Sequence, residues 1–365
     1  MLTGVKFTFL LLLLPYYILS QQTDSTVLKI GQMIMFGFRG TSVDTAGKFY
    51  KDIKEGKSGG ISIYEANLSP TNTSENLQIL IKTLQAASPV PLFTAITQEG
   101  GIVNRLKTKY GFPHMPSAEY LGKLNNLDST KYYADNTAFT LSRLGINVNF
   151  APVVDIYMPT NPVLGSRERT YSVNTNVITK HARQVILSHN YFKVNTALKH
   201  FPGHGSSTTD THLELTDISK TWKADELKPY RQLIKQGLVS SIMTAHIVND
   251  KLDKTKNPAT LSKKIITGLL RKEMGFTGVV FSDDMNMKAI SAEYGLKDAI
   301  ERTINAGVDV LLFSGTREGV NSNDASDIVN IILELLKEGK VSMTRINESY
   351  IRIIKMKHNR NNLKK

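Results

Sequence analysis

The residues best suited to chemistry lie in one stretch, Lys199-His200-Phe201-Pro202-Gly203-His204-Gly205-Ser206-Ser207-Thr208-Thr209-Asp210-Thr211-His212. Its fourteen residues hold three His, one Lys, one Asp, two Gly and a Pro. A segment so rich in titratable groups adds little to a core, and its glycines let the backbone approach a ligand closely. Asp210 and His212 stand two apart, on one side of an extended segment. A carboxylate bonded to one imidazole nitrogen fixes the tautomer and raises the basicity of the other, which makes a general acid/base. Asp-x-His alone fits a polar surface loop better. Its attachment to Lys199-His200, where the strand-like run Val194-Asn195-Thr196-Ala197-Leu198 stops, tips the balance towards catalysis. A second candidate is Asp283 in Phe281-Ser282-Asp283-Asp284-Met285, just after the apolar Gly278-Val279-Val280. An aspartate at a strand end is held rigidly and suits a nucleophile or an electrostatic stabiliser. Adjacent side chains point in different directions, so chemistry is assigned to Asp283, and helix capping or bracing to Asp284.

These groups need a scaffold. Eight β-rich runs are expected, at Met33–Gly37, Gly60–Tyr64, Leu92–Thr97, Val148–Val154, Val194–Lys199, Ser240–Thr244, Gly278–Ser282 and Val308–Phe313. Several are continuously apolar, as parallel strands covered on both faces are. Helical patterns fall between them, at about 43–56, 74–87, 117–143, 173–191, 224–237, 261–274, 286–305 and 323–338, with a last one at 343–358. Strand–helix alternation repeated eight times predicts one α/β domain over residues 21–365, a (β/α)8 TIM-type barrel, with a doubly wound open sheet as the competing architecture. Polar groups stand at the carboxyl ends of the runs: Tyr64, Gln98-Glu99-Gly100-Gly101, Asp155, Lys199-His200, His246 and Asp283-Asp284. In a barrel these ends meet at one mouth, which points to an enzyme. Arg105, Arg169, Lys199 and His200 are suited to hold sugar hydroxyls or a carboxylate. His246 fits that role or a structural one equally.

Composition narrows the classes. The 365 residues are 41% hydrophobic and 21% charged, with no Cys, so the core must stabilise the fold without disulfides. Residues 1–20 have the form of a secretory signal: Lys6, an apolar Phe7–Leu14 and the small Ser20. That run is short for a membrane span, so an exported protein without stable membrane insertion after signal removal is expected. Net charge is +13, or +12 without residues 1–20, which hold one Lys and no acid. No nucleic-acid motif accompanies this charge, and an anionic polymer or surface is the better partner. No phosphate loop, His-Glu-x-x-His or Gly-x-Ser-x-Gly is present, so neither cofactor nor metal is expected. A monomer is favoured.

The chain resembles glycoside hydrolase family 3, in its β-N-acetylhexosaminidase branch, over nearly its whole length after residue 20. Gln98-Glu99-Gly100-Gly101-Ile102-Val103-Asn104-Arg105 is similar to the family's Asp-Gln-Glu-Gly-Gly-Arg-Val-x-Arg. Asn149-Phe150-Ala151-Pro152-Val153-Val154-Asp155 and Asn161-Pro162-Val163-Leu164-Gly165 resemble its fourth-strand segment. Lys199 to His212 resembles the branch signature Lys-His-Phe-Pro-Gly-His-Gly with a following Asp-x-His, and Pro258-Ala259-Thr260-Leu261-Ser262 and Phe281 to Met285 complete the set. The resemblance implies a retaining two-step hydrolysis with Asp283 as nucleophile and His212, oriented by Asp210, as acid/base. It implies that Lys199, His200, Arg105 and Arg169 hold an N-acetylglucosamine ring, with Arg167 a rival of Arg169. Thr97 stands where the family has a sugar-gripping aspartate, and Ile102 where it has an arginine. Weakened or altered sugar recognition is therefore expected. Implied substrates are peptidoglycan fragments, with chitooligosaccharides or glycoprotein glycans, phosphorolysis, or weak catalysis in a glycan-binding protein as alternatives.

Overall fold

A computed structural model describes residues 25–211, 213–315 and 324–358. The expected leader at 1–20 and His212 lie outside the described residues. Eight strands form a closed barrel: Ile34–Gly37 (β1), Gly60–Ile63 (β2), Phe93–Ile96 (β3), Val148–Asn149 (β4), Asn195–Phe201 (β5), Ser241–Thr244 (β6), Val279–Asp284 (β7) and Val310–Phe313 (β8). Each pairs in parallel with the next, and β8 closes onto β1 with Phe313 opposite Phe36. The expected (β/α)8 barrel is the fold found, and each expected run overlaps one barrel strand, with β5 and β7 each running two residues past the expected end.

The differences have local causes. β4 stops at Asn149, five residues before the expected Val154. Pro152 has no N–H for the ladder, and the Asn149 side chain takes over, accepting from Gln98 N at 3.0 Å and donating to Gln98 O at 3.1 Å. The helix expected over 117–143 divides into Ala118–Leu124 and Leu127–Leu144. Asn125 adopts a left-handed φ of 47°, and the Asn126 side chain caps the second helix through Ser129 N at 2.8 Å. Residues 25–32 form a helix that sequence patterning missed. A two-stranded sheet pairs Thr216–Asp217 with Ile247–Val248. It ties the long loop after β5 to the segment after β6.

The barrel interior is a column of rings. Phe281 of β7 meets Phe93 of β3 at 5.7 Å and Phe150, just after β4, at 5.4 Å, both edge to face. β3 and β7 are not neighbours, so these rings must cross the barrel's inside. Below them the buried Lys357, from the last helix Met343–His358, lies 4.7 Å from the Phe93 ring centre. The same helix is pinned by the fully buried Asp309, which accepts from Arg271, Arg345, Arg352 and Ser349. Among the described residues no helix is long and apolar enough to cross a membrane.

Candidate active site

A cavity of about 330 Å3 opens at the carboxyl ends of the strands. Its wall takes Tyr64 from after β2, Thr97 from after β3, Lys199 and His200 from β5, and Asp283 and Asp284 from β7. Phe150 closes it towards the ring column. A larger open cavity of about 460 Å3 lies at the opposite ends of the strands, lined by Lys193, Arg352 and Lys355 but by no carboxylate or histidine. Of these two cavities, the first is the one that offers carboxylates and histidines, at the end of the barrel where such sites form.

One wall is built on Glu99. Its carboxylate accepts from Arg169 Nε at 2.8 Å and Arg169 Nη2 at 2.7 Å, and pairs with Lys199 Nζ at 2.5 Å. Arg169 also donates to Val163 O at 3.2 Å. All three side chains are at most 10% exposed. Burial pushes the Glu99 carboxyl up, but Arg169 and Lys199 outweigh it and hold it far below the carboxylate range. Burial also pulls the Lys199 ammonium below its ordinary value, against the pull of Glu99.

The next wall is built on Asp155, fully buried beyond β4. It accepts from the backbone N–H of His200 and of His204, the latter at 2.8 Å, and lies 2.8 Å from His200 Nδ1. Burial opposes its charge, and the hydrogen bond from His200 restores it and holds the carboxyl low. The His200 Nε2 edge is left facing Arg169 Nη2 at 3.4 Å. His204 Nε2 meets Thr211 Oγ1 at 3.1 Å, and burial with the neighbouring His200 holds its imidazole down at about 4. His204 is therefore neutral near pH 7. Both His204 and Thr211 line the cavity.

The third wall is β7. Asp283 Oδ1 accepts from Asp284 N at 2.8 Å, and the charge of Asp283 acts on Arg169, Lys199, His204 and Tyr64 across the cavity. Asp284 Oδ1 accepts from Asn286 N at 3.1 Å and Ser314 N at 2.9 Å, so it braces the turn and the end of β8. His246 does not line the cavity. It is fully buried, with Nδ1 2.8 Å from Thr260 Oγ1 and Nε2 3.0 Å from Asp284 O. A carbonyl only accepts, so Nε2 carries the proton there. His246 props the backbone that presents Asp283.

Of the residues singled out in the sequence, Thr97, Arg105, Arg169, Lys199, His200 and Asp283 meet at this cavity, as does Arg167. Asp210 is in the loop after β5, half-buried, and its carbonyl accepts from Leu213 and Glu214. Its neighbour Thr211 lines the cavity, and His212 lies outside the described residues. Sequence reasoning passed over Glu99 as a site residue although it follows β3 directly, and it gave His204 no role. The signal for Glu99 was there: two cations placed for one mouth need a buried counter-charge. Among the described residues no set of three or more His, Asp or Glu is placed to hold a metal ion.

Comparison with known proteins agrees with this geometry. The profile of the glycosyl hydrolase family 3 N terminal domain matches residues 25–356. A protein named beta-hexosaminidase A, from Pseudoalteromonas piscicida, is 33% identical over 319 residues, covering 82% of this chain and 53% of that protein. The chain thus spans about half the length of that relative. An uncharacterised secreted glycosyl hydrolase from Arthroderma benhamiae is 31% identical, over 88% of this chain and 90% of its own. The structure of a glycoside hydrolase family 3 β-N-acetylglucosaminidase from Paenibacillus sp. FPU-7 superposes with a TM-score of 0.83 at 33% identity, over 92% of this chain and 62% of that one. With the profile spanning nearly all of the described barrel, the chain belongs to glycosyl hydrolase family 3.

Proposed function

We propose that this protein is an exported, retaining exo-β-N-acetylhexosaminidase that removes terminal β-linked N-acetylglucosamine from peptidoglycan fragments or related glycans. The observation that carries the reading is the gathering of Asp283, Arg169, Lys199 and His200 around a cavity with room for one sugar. Relatives named beta-hexosaminidase support the reaction, and the secreted relative together with residues 1–20 supports export. The net charge of +13 favours anionic glycans.

In the first step an Asp283 oxygen bonds to the anomeric carbon as the glycosidic C–O bond breaks, and His212 gives its proton to the departing oxygen. In the second step His212 takes a proton from water, whose oxygen bonds to the same carbon and releases Asp283. Asp210 orients His212 and steadies its charge. Arg169, Lys199, His200 and Arg105 hold the ring's polar groups, with Thr97 in place of a stronger carboxylate grip. Asp155 helps by fixing the His200 ring. Protonation by imidazole near pH 7 needs no large shift, unlike protonation by a carboxyl group.

Hydrolysis of 4-nitrophenyl β-N-acetylglucosaminide by the wild type, Asp283→Ala and His212→Ala tests this. The variants should lose activity on the order of 100-fold or more. Wild-type release of nitrophenol no faster than the variants' would favour a second reading, a weakly catalytic glycan binder, to which Thr97 and the 56% exposed Ile102 point. Glycosyl phosphate formed on adding inorganic phosphate would mark phosphorolysis.

A further inference from the structure

The loop from Pro202 to Thr211 is gripped from two sides by buried carboxylates. Asp155 holds the His200 and His204 ends, as described above. Glu226, in the single-turn helix Ala224–Leu227, holds the middle: it accepts from Gly205 N at 2.9 Å and from Ser206 Oγ. The same short region supplies two more ties, from Thr221 Oγ1 to Ser206 O at 2.8 Å and from Trp222 Nε1 to Pro202 O at 3.1 Å.

The fit is close as well as polar. Gly203 has a φ of 110°, and a Cβ there would meet Glu226 Cβ at 2.5 Å and Oε2 at 2.6 Å. A Cβ on Gly205 would meet Ile156 O at 2.3 Å. Both loop glycines are therefore pressed against fixed neighbours, one of them Glu226 itself. Within the loop, Ser207 Oγ and His204 Nδ1 are buried with no hydrogen-bond partner among the described residues. The loop's own bonding does not saturate its conformation, which leaves the outside contacts to define it.

Glu226 is only 2% exposed and has no cation beside it among its recorded contacts. Burial pushes its carboxyl up to about 7, partly offset by the Ser206 bond and reinforced by Asp155. A buried acid without a counter-charge is costly, and its bonds all run to this loop.

We propose that Glu226 is a positioning residue: it latches Gly203–Ser206, and through them sets the course of the loop to Asp210 and Thr211, the latter in the cavity wall. The inference rests on the reading that this loop delivers the acid/base. Gln can keep both contacts, because its oxygen accepts from Gly205 N and its amide donates to Ser206 Oγ. Ala keeps neither and leaves a void beneath Gly203.

The experiment compares wild type, Glu226→Gln and Glu226→Ala as full chains, on aryl β-N-acetylglucosaminides with good and poor leaving groups. Glu226→Ala should lower kcat/KM by about tenfold or more on 4-methylumbelliferyl substrate. With 2,4-dinitrophenyl substrate, whose leaving group departs unprotonated, the loss should shrink to about threefold or less. Glu226→Gln should stay within about threefold of wild type on both. An equal loss on both substrates, or no loss at all, overturns the proposal. Hydrogen exchange of the 203–211 amides gives a readout that needs no activity: exchange should speed up in Glu226→Ala and not in Glu226→Gln. Unchanged exchange sinks the latch even if catalysis is intact. A wild type inactive on every substrate but with faster exchange in Glu226→Ala sinks the reaction assigned above and leaves the latch standing. Should Glu226→Ala fail to fold, Ser206→Ala removes one latch bond, and the same loss and exchange pattern is expected in weaker form.

Discussion

Glu99 and Lys199 form an ion pair inside the mouth, with side chains 4% and 3% exposed. Arg169 shares the same carboxylate, so the trio carries one excess positive charge, and Asp283 across the cavity balances it. The net positive wall thus faces the carboxylate proposed above as the nucleophile. Glu99→Gln would leave two cations facing each other without the charge between them. The expected result is a loss of about 3 kcal/mol in urea unfolding at pH 7 and a raised KM. The Glu99 carboxyl sits below its ordinary range, so its contribution is present above the unfolded carboxyl's pKa and is lost as pH falls further. The gap between wild type and Glu99→Gln should accordingly close in acid. A gap constant down to strongly acidic pH would show that the pair adds nothing.

Thr97 sits half-buried in the cavity wall. A hydroxyl there can bond a sugar, but it lacks the charge-assisted strength of a carboxylate. Thr97→Asp should lower KM on aryl N-acetylglucosaminides by about tenfold, the effect of one charged hydrogen bond worth ~1.4 kcal/mol. Steady-state kinetics check it, and an unchanged KM would mean that position 97 does not touch the sugar.

The barrel was legible because its strands are apolar runs ending in polar residues, a pattern that survives without any partner. Lys199, His200 and Asp283 could be found the same way, since each stands at the polar carboxyl end of such a strand. Pairings across long separations could not. Glu99 meets Arg169 seventy positions away, and Asp155 meets His200 forty-five away. Nothing local in either segment announces the other. His246 was open to either role from its sequence: it stands at a strand end like the lining residues, and its ring turns into the wall to reach Thr260 and Asp284. Strand position predicts which end of the barrel a residue occupies, and packing decides whether it reaches the cavity.

His246→Leu tests that distinction. Removing the ring takes one bond from the Asp284 carbonyl, which keeps Met287 N, and one from the Thr260 hydroxyl, which keeps Thr244 Oγ1 and Ala245 O, so the two lost bonds cost about 2 kcal/mol in unfolding free energy. The backbone presenting Asp283 loosens, so kcat should fall while KM stays within about twofold. A rise in KM alone would return His246 to direct contact with the sugar.

Lys357 makes the stability of the whole barrel depend on pH in the alkaline range. Its ammonium is buried, donates to Gln32 Oε1 at 2.6 Å and Gly59 O at 2.8 Å, and has no carboxylate among those partners. Burial pulls its pKa from 10.5 down to about 7. Between those values the unfolded chain holds a proton that the folded chain lacks, so stability rises with pH from about 7 to 10.5. The full span is ~5 kcal/mol at 1.36 kcal/mol per pK unit. Lys357→Met removes that dependence but forfeits two hydrogen bonds, worth ~2 kcal/mol together. The variant should then be more stable than wild type at pH 6 by ~3 kcal/mol and less stable near pH 10 by ~1 kcal/mol, with the curves crossing between. Urea unfolding at intervals across that range measures it. Parallel curves would show that Lys357 keeps its proton throughout, held by the Phe93 ring and the two carbonyl oxygens, and that the foot of the barrel tolerates a buried charge.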